Sequence, residues 1–443
     1  MNLKNNFFLA AALCFALSAG ACGIFQTART DSVKKSVPPA APISFDETKS
    51  ESEIRFYADK IKTDPEDFGA SNKLAGLYLQ KLRETGDISY LNLAFRAARA
   101  SLDSVPEVRN AGGLTALALG EFAAHDFTNA RDHAIRLAEL EPTKSYPQGI
   151  LGDALLELGE YDKANAAFQK IAKLDGGISQ TSEIRLARLA QLRGDNGETQ
   201  KHFANALRFA LDQSEPPRET VAWLRWQLGE TAFSVGDYAA AEKHFRDSLV
   251  TFPDYYRAVG SLAKTRAAQN DLPGAVEEYE KAVRLLPDPN YVAALGDLYK
   301  LTGREDDAKK QYELVEQIGH LSELNGALYN RQLALFYADH DFKTEEAYNL
   351  AAKEYEARKD IYGADALAWT ALKAGKISEA QAAIKDALRL GTNDAKLFYH
   401  AGMISRAAGD EKQARQFLQQ SLALNPQFDA LQSIIAKRIL ESE

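Results

Sequence analysis

The sequence predicts an all-α fold, a solenoid of about ten helix-turn-helix units, on three observations. The first is self-similarity. "LGDALLELGEYDKANAAFQKIAKLDG" from Leu151 and "LGETAFSVGDYAAAEKHFRDSLVTFPD" from Leu228 share one skeleton of small, large and turn residues. The second is punctuation at matching places: Gly236-Asp237 and Gly409-Asp410 supply tight turns, and Pro253, Pro287 and Pro426 stop the helix before them. The third is composition. With 45% hydrophobic and 26% charged residues, a net charge of −9 and a mean hydropathy of −0.34, the body reads as a soluble globular protein without a second membrane segment.

The opening of the chain is a different object. Lys4 gives a positive n-region, Phe7 to Leu17 is an apolar run too short to span a bilayer, and Ala19-Gly20-Ala21 is a small-residue cleavage site, so residues 1–21 read as a signal peptide. Cleavage after Ala21 would release a soluble secreted protein. Ser18-Ala19-Gly20-Ala21-Cys22 resembles a bacterial lipobox, although that motif most often has leucine where Ala19 stands. This resemblance implies acylation of the Cys22 sulfur and a lipid anchor, and it accounts for an exported cysteine that would otherwise be a reactive liability. Both cysteines of the chain, Cys14 and Cys22, lie in this opening. The body therefore has no internal disulfide and depends on burial. Residues 22–52 are polar, carry Pro38, Pro39 and Pro42, and show no sustained helical period, which predicts a flexible tether. The expected location is the bacterial cell envelope, with the body in the periplasm and the outer membrane favoured over the inner.

From residue 53 to 443 the repeated unit takes over, with starts near 68, 111, 145, 180, 222, 256, 289, 328, 361 and 395. The fifth unit (Leu228, Gly229, Ala241, Phe245, Pro253), the sixth (Leu262, Ala263, Ala275, Tyr279, Ala282, Pro287) and the tenth (Ala401, Gly402, Ala414, Ser421, Pro426) are the clearest. Ala130, Pro142, Gly152, Ala164 and Phe168 mark the second and third. These residues resemble the tetratricopeptide repeat, a unit of about 34 residues with small side chains at positions 8, 20 and 27, a large one at 24 and often proline at 32. The resemblance implies a right-handed α-solenoid. Small residues at 8 and 20 let two helix backbones approach closely, and the bulky residue at 24 fills the gap to the next unit. The first unit has extra residues at "RETGDIS", the fourth has Thr199 in place of alanine, about eight extra residues surround Pro216-Pro217, and the eighth has an insertion at "DHDFKTEE". Residues 427–443 read as an amphipathic helix that caps the last apolar face.

In this family, positions 2, 5, 9 and 12 of each first helix line the inner groove. All three tryptophans fall there: Trp223 and Trp226 in the fifth unit and Trp369 in the ninth, joined by Tyr146, Phe233, Tyr329, Phe336, Tyr362, Tyr399 and Met403. The charged residues on the same face are of mixed sign, including Asp153, Arg188, Glu230, Lys264, Asp297 and Asp365. Aromatic anchors among scattered charges suit an extended peptide or a partner helix; the alternative is that the rings pack against adjacent repeats and stiffen the stack. Position 5 never holds lysine and position 9 never holds asparagine, which excludes a carboxylate-clamp type of tail binding. His133, His202 and His244 share position 23 without further convergent ligands, so no metal is expected. "DHD" at 339–341 reads as turn polarity. No H-E-x-x-H, G-x-x-x-x-G-K-[ST], G-x-S-x-G, C-x-x-C or G-x-G-x-x-G occurs, so neither catalysis nor a cofactor is expected. Negative charge argues against nucleic acid. The expectation is a non-catalytic envelope scaffold that binds protein partners for a secretion, pilus or exopolysaccharide system. The rival reading is a glycan-binding lipoprotein serving an outer-membrane transporter.

Overall fold

The computed structural model describes residues 38–43, 47–324, 327–328 and 330–442; the signal segment 1–21 and Cys22 lie outside them. Among the described residues there is no strand. Helix α1 (Glu47–Thr63) precedes ten pairs: α2 (Phe68–Thr85) with α3 (Ser89–Ser104), α4 (Ala111–Ala123) with α5 (Phe127–Leu140), α6 (Tyr146–Glu157) with α7 (Tyr161–Leu174), α8 (Gln180–Leu192) with α9 (Asn196–Leu211), and α10 (Arg218–Ser234) with α11 (Tyr238–Thr251). The series continues with α12 (Tyr256–Ala268) and α13 (Leu272–Leu285), α14 (Pro289–Leu301) and α15 (Glu305–Leu324), and α16 (Arg331–Asp339) and α17 (Thr344–Ala357). It ends with α18 (Ile361–Lys373) and α19 (Ile377–Ala387), α20 (Ala395–Ala407) and α21 (Glu411–Leu424), and then the single helix α22 (Gln432–Glu441).

In several pairs the turn between the two helices follows one recipe. A residue with positive φ reverses the chain, and an aspartate directly after it caps the second helix. Gly236 (φ 77°) precedes Asp237, whose carboxylate accepts from Ala240 N at 3.0 Å; Gly409 (φ 83°) precedes Asp410, which accepts from Gln413 N at 2.9 Å. Asn270 and His125 take the glycine's place before Asp271 and Asp126. Each such cap stabilises its helix by about 1 kcal/mol.

Within a pair, close approach depends on the missing side chain at position 8. A Cβ on Gly229 would lie 2.4 Å from the Phe245 ring, and one on Gly402 would lie 2.8 Å from Leu418. Phe245 and Leu418 are fully buried, so the ring or branch that fills position 24 occupies the space the glycine leaves.

Three segments differ from the sequence expectation. Helix α1 begins at Glu47, inside the stretch expected to be tether, because Ile54, Tyr57, Ala58 and Ile61 form an apolar face that packs beside Leu74 and Ala75 of α2. Extra residues before the fifth unit are absorbed by starting α10 at Arg218. Helix α15 runs for 20 residues where the second helices of neighbouring units have 14.

The chain packs as two units. One comprises the residues up to 186 together with 204–221; the other comprises 187–203 together with 222–442. They are called the first and second unit below.

Candidate partner-binding surfaces

Successive first helices lie against one another: α2 meets α4 and α4 meets α6 in the first unit, while α14 meets α16, α16 meets α18 and α18 meets α20 in the second. The second helices of these units make no comparable contact with one another. The first helices therefore lie on the inside of each curve, and positions 2, 5, 9 and 12 face inward.

In the second unit that inner face is covered. Trp369 and Tyr399 are each 1% exposed, and Trp223, Phe233 and Phe336 are buried. Trp223 meets the Phe203 ring edge-on at 5.9 Å. Trp226 is half-buried, donates Nε1–H to Ser261 Oγ at 2.8 Å and lies 5.6 Å from the Arg257 guanidinium. The Lys264 ammonium sits 4.1 Å from the centre of the Phe233 ring. Phe336 packs 4.6 Å from the His340 ring, and half-buried Tyr362 has its phenol pushed up by burial. Half-buried Met403 joins Trp369 and Tyr399 in one cluster. Tyr329 lies outside the described residues. The anchors are thus largely interior, for two reasons: Trp223, Trp226, Phe233 and Phe336 pack against their own and adjacent repeats, whereas Trp369, Tyr399 and Met403 are covered by the segment that follows the last repeat.

At two places, hydrogen bonds between residues nearly two hundred positions apart join the ends of the second unit. Thr392 Oγ1 donates to the Leu192 carbonyl, and Asn393 Nδ2 donates to the Gly194 carbonyl at 2.8 Å. One repeat further on, Asn425 Nδ2 donates to the Phe233 carbonyl at 2.7 Å, and Tyr238 OH donates to Asn425 Oδ1. The last repeat of the second unit therefore closes onto its beginning.

The chain then crosses the inner face. Phe428 packs 5.5 Å from Tyr399, Ala430 sits beside the cluster that contains Tyr279, Leu295 and Tyr299, and α22 places Ala436 and Ile439 in the cluster of Ala338, Trp369, Tyr399 and Leu418. The expected cap on the last apolar face accounts for Leu418. It does not account for Trp369 or Asp339, which the same segment also touches.

Asp339 is the residue that sequence reasoning missed. Read as turn polarity, it is in fact an inner-face hub: its carboxylate accepts from Trp369 Nε1 at 2.7 Å, Gln432 Nε2 at 2.7 Å and Lys396 Nζ at 3.0 Å. Burial pushes its carboxyl up, but the Lys396 ammonium and the bonds it accepts bring it net below the ordinary value. His340 beside it bonds Asp297 through Nε2 at 2.8 Å, and only Asp341, at φ 52°, serves the turn. The usable signal was position: residue 339 falls at position 12 of the eighth unit, on the inward period.

In the first unit the inner face is open in part: Leu79, Phe122 and Leu156 at position 12 are buried and Arg83 reaches Glu219 at 3.6 Å, but the surface before them is uncovered. Gly69, Gly76 and Gly112, at positions 2, 9 and 2 of the first two repeats, are exposed, and nothing lies within 4 Å of a Cβ built on Gly76. Tyr146 stands half-buried at the third repeat, its hydroxyl bonded to Glu141, and burial with that carboxylate pushes the phenol up to about 12. Asp153 is half-buried and paired with Arg185 at 2.6 Å.

Comparison with known proteins agrees with this geometry. Sequence profiles of the tetratricopeptide repeat match residues 115–177, 179–250, 227–288 and 366–427. The chain belongs to the tetratricopeptide repeat family. It is 24% identical over 307 residues to the TPR repeat-containing protein YpiA of Bacillus subtilis (strain 168), covering 68% of this chain and 60% of that one. Tetratricopeptide repeat protein 36 of Mus musculus is 33% identical over 154 residues, covering 30% of this chain and 83% of that one. The human protein of that name is 33% identical over 119 residues, covering 24% and 63%. The chain thus spans about three-fifths of the length of YpiA and of human repeat protein 36. Solved structures that it resembles include yeast Tom70 (TM-score 0.38, 13% identity, 89% of this chain and 93% of that one) and PilW, a type IV pilus biogenesis factor (TM-score 0.40, 18% identity, 46% and 91%). Tetratricopeptide repeat proteins generally mediate protein–protein interaction and act as non-catalytic scaffolds. No described helix is long and apolar enough to cross a membrane.

Proposed function

We propose that this chain is a protein-binding scaffold of the bacterial cell envelope, held to the membrane through a lipid on Cys22, and that it captures an extended peptide of a partner on the inner face of its first unit. The observation that carries the reading is the contrast between the two inner faces. The second unit fills its own, whereas the first leaves Gly69 and above all Gly76 uncovered, so a peptide backbone can approach the helix surface closely there. Half-buried Tyr146 and Asp153 flank that surface with a ring and a charge. The envelope reading rests on Lys4 to Cys22, and assembly of a secretion, pilus or exopolysaccharide system is the role it suits.

Gly76→Trp tests the surface. Open space surrounds the site and tryptophan is a better helix former than glycine, so the variant is expected to fold as the native chain does while its ring blocks the face. Crosslinking in intact cells, followed by purification, should recover a partner with the native chain and lose it with Gly76→Trp. In the same cells Cys22→Ala should move to the soluble fraction. Undiminished crosslinking by Gly76→Trp places the partner elsewhere, and Cys22→Ala retained on membranes after a high-salt wash contradicts the anchor.

A further inference from the structure

The inner face of repeats eight to ten already holds a helix, and that helix belongs to the chain itself. Gln432 of α22 bonds Asp339, while Ala436 and Ile439, four and seven residues later, enter the cluster of Trp369, Tyr399 and Leu418. That spacing places a polar fixture and two apolar sites on one helical face. Seven residues of helix span about 10 Å, against about 23 Å for an extended strand, so only a helix meets all three fixtures in register.

The resident helix fits imperfectly at its start. Asp429 caps α22, accepting from Leu431 N and Gln432 N at 2.9 Å each, and its half-buried carboxylate feels one positive charge, Lys396, against the negative charges of Asp339 and Asp297. Burial and those two carboxylates push Asp429 up against the pull of Lys396. On the opposite side of α22, Ile435 is 40% exposed, and α21 is the helix whose backbone α22 chiefly meets.

We propose that this face is a helix-binding groove occupied in cis by α22, and that its partner in trans is an amphipathic protein helix with the same spacing. That helix carries an amide donor in its first turn, small and aliphatic residues four and seven positions on, and a neutral cap where this chain has Asp429. It binds by displacing α22, gaining the same apolar contacts without bringing a third carboxylate into the field of Asp339 and Asp297. The groove lies wholly in the second unit, so this proposal stands or falls independently of the surface around Gly76.

The test uses the full chain and two fluorescein-labelled synthetic peptides, residues 427–442 as they stand and the same segment with Asp429→Asn. Ile439→Lys weakens docking of α22 without altering the groove. The Ile439→Lys chain is expected to bind the unaltered peptide at least ten-fold more tightly than the native chain does, and to bind the Asp429→Asn peptide more tightly still. Adding Asp339→Ala should reverse the gain. Hydrogen exchange of the native chain supplies a reading that needs no variant: α22 should exchange through an opening that leaves α20 and α21 protected. Equal peptide affinity for both chains, no preference for the Asp429→Asn peptide, or exchange of α22 only together with α20 and α21 would each overturn the proposal and make α22 an integral wall of the unit.

Discussion

Trp369→Ala is expected to destabilise the second unit by about 3 to 5 kcal/mol, the range for emptying a buried large aromatic site. The ring is 1% exposed, stacks on His400 at 4.2 Å with 12° between planes, and donates to Asp339. Alanine removes all of that area and leaves a cavity between Ala338, Tyr399 and α22. It also withdraws a donor from a half-buried carboxylate, which raises the cost of keeping Asp339 ionised. Repeat arrays unfold by neighbour-coupled steps, so the loss should appear first in hydrogen exchange across α18, α20 and α22 and afterwards in the urea midpoint by circular dichroism. A change below about 1 kcal/mol would mean that the ring contributes area to a surface and not to a core.

Arg331→Met should cost about 3 kcal/mol, for a different reason. The Arg331 guanidinium grips Asp360 through both nitrogens, at 2.7 and 3.2 Å, and reaches Glu354 at 2.8 Å; Arg358 meets the same two carboxylates at 3.3 and 3.1 Å. Both acids are nearly inaccessible. Removing one cation leaves two buried carboxylates sharing the other, and breaking such a pair costs more than the pair contributes net. Asp360 also caps α18, accepting from Tyr362 N at 3.0 Å and Gly363 N at 3.1 Å, so the damage reaches the helix that carries Trp369.

The pH dependence of this variant has a definite sign. Burial pushes the Asp360 carboxyl up, yet Arg331 and Arg358 bring it net below the ordinary carboxylate value. A depressed native pKa contributes stability above the unfolded value, and that stability is lost as pH falls through the native one. In Arg331→Met the burial is no longer fully opposed, so protonating Asp360 relieves strain. The deficit should therefore be largest at neutral pH and shrink as pH drops toward 4, measured by urea titration at each pH. A deficit that stays constant or grows on acidification would contradict the pairing.

Much of this fold could be read from residue identity because the repeat restates itself. Glycine at 152, 229 and 402, the bulky residue sixteen positions later, and the Gly-Asp turns are local statements that a single chain makes without reference to distant parts. The inward direction of Trp223, Trp226 and Trp369 was legible for the same reason, since a helical period assigns a side chain to a face. What stands across from that face was not. Asn425 reaches Phe233, and Asn393 reaches Gly194, across nearly two hundred residues, and no periodicity encodes such a meeting. Packing against adjacent repeats, which covers Trp223 and Phe336, was one of the two readings the period allowed, whereas the cover over Trp369 and Tyr399 comes from a segment that no period announces. Asp339 was passed over because all three of its partners, Trp369, Lys396 and Gln432, come from further along the chain. Helix α1 was partly hidden because its apolar face, Ile54 to Ile61, follows a polar run that alone would read as tether.

The central claim is that the aromatic inner face of the second unit is interior in the native chain. Nature has provided the reporter, since all three tryptophans of the chain, Trp223, Trp226 and Trp369, lie on that one face. Acrylamide quenching of the native protein's tryptophan emission therefore reads it directly, with no substitution and no background from the first unit. The account predicts blue-shifted emission and a quenching constant several-fold below that of free N-acetyltryptophanamide. Red-shifted emission quenched nearly as efficiently as the free compound would show an open aromatic groove and contradict it.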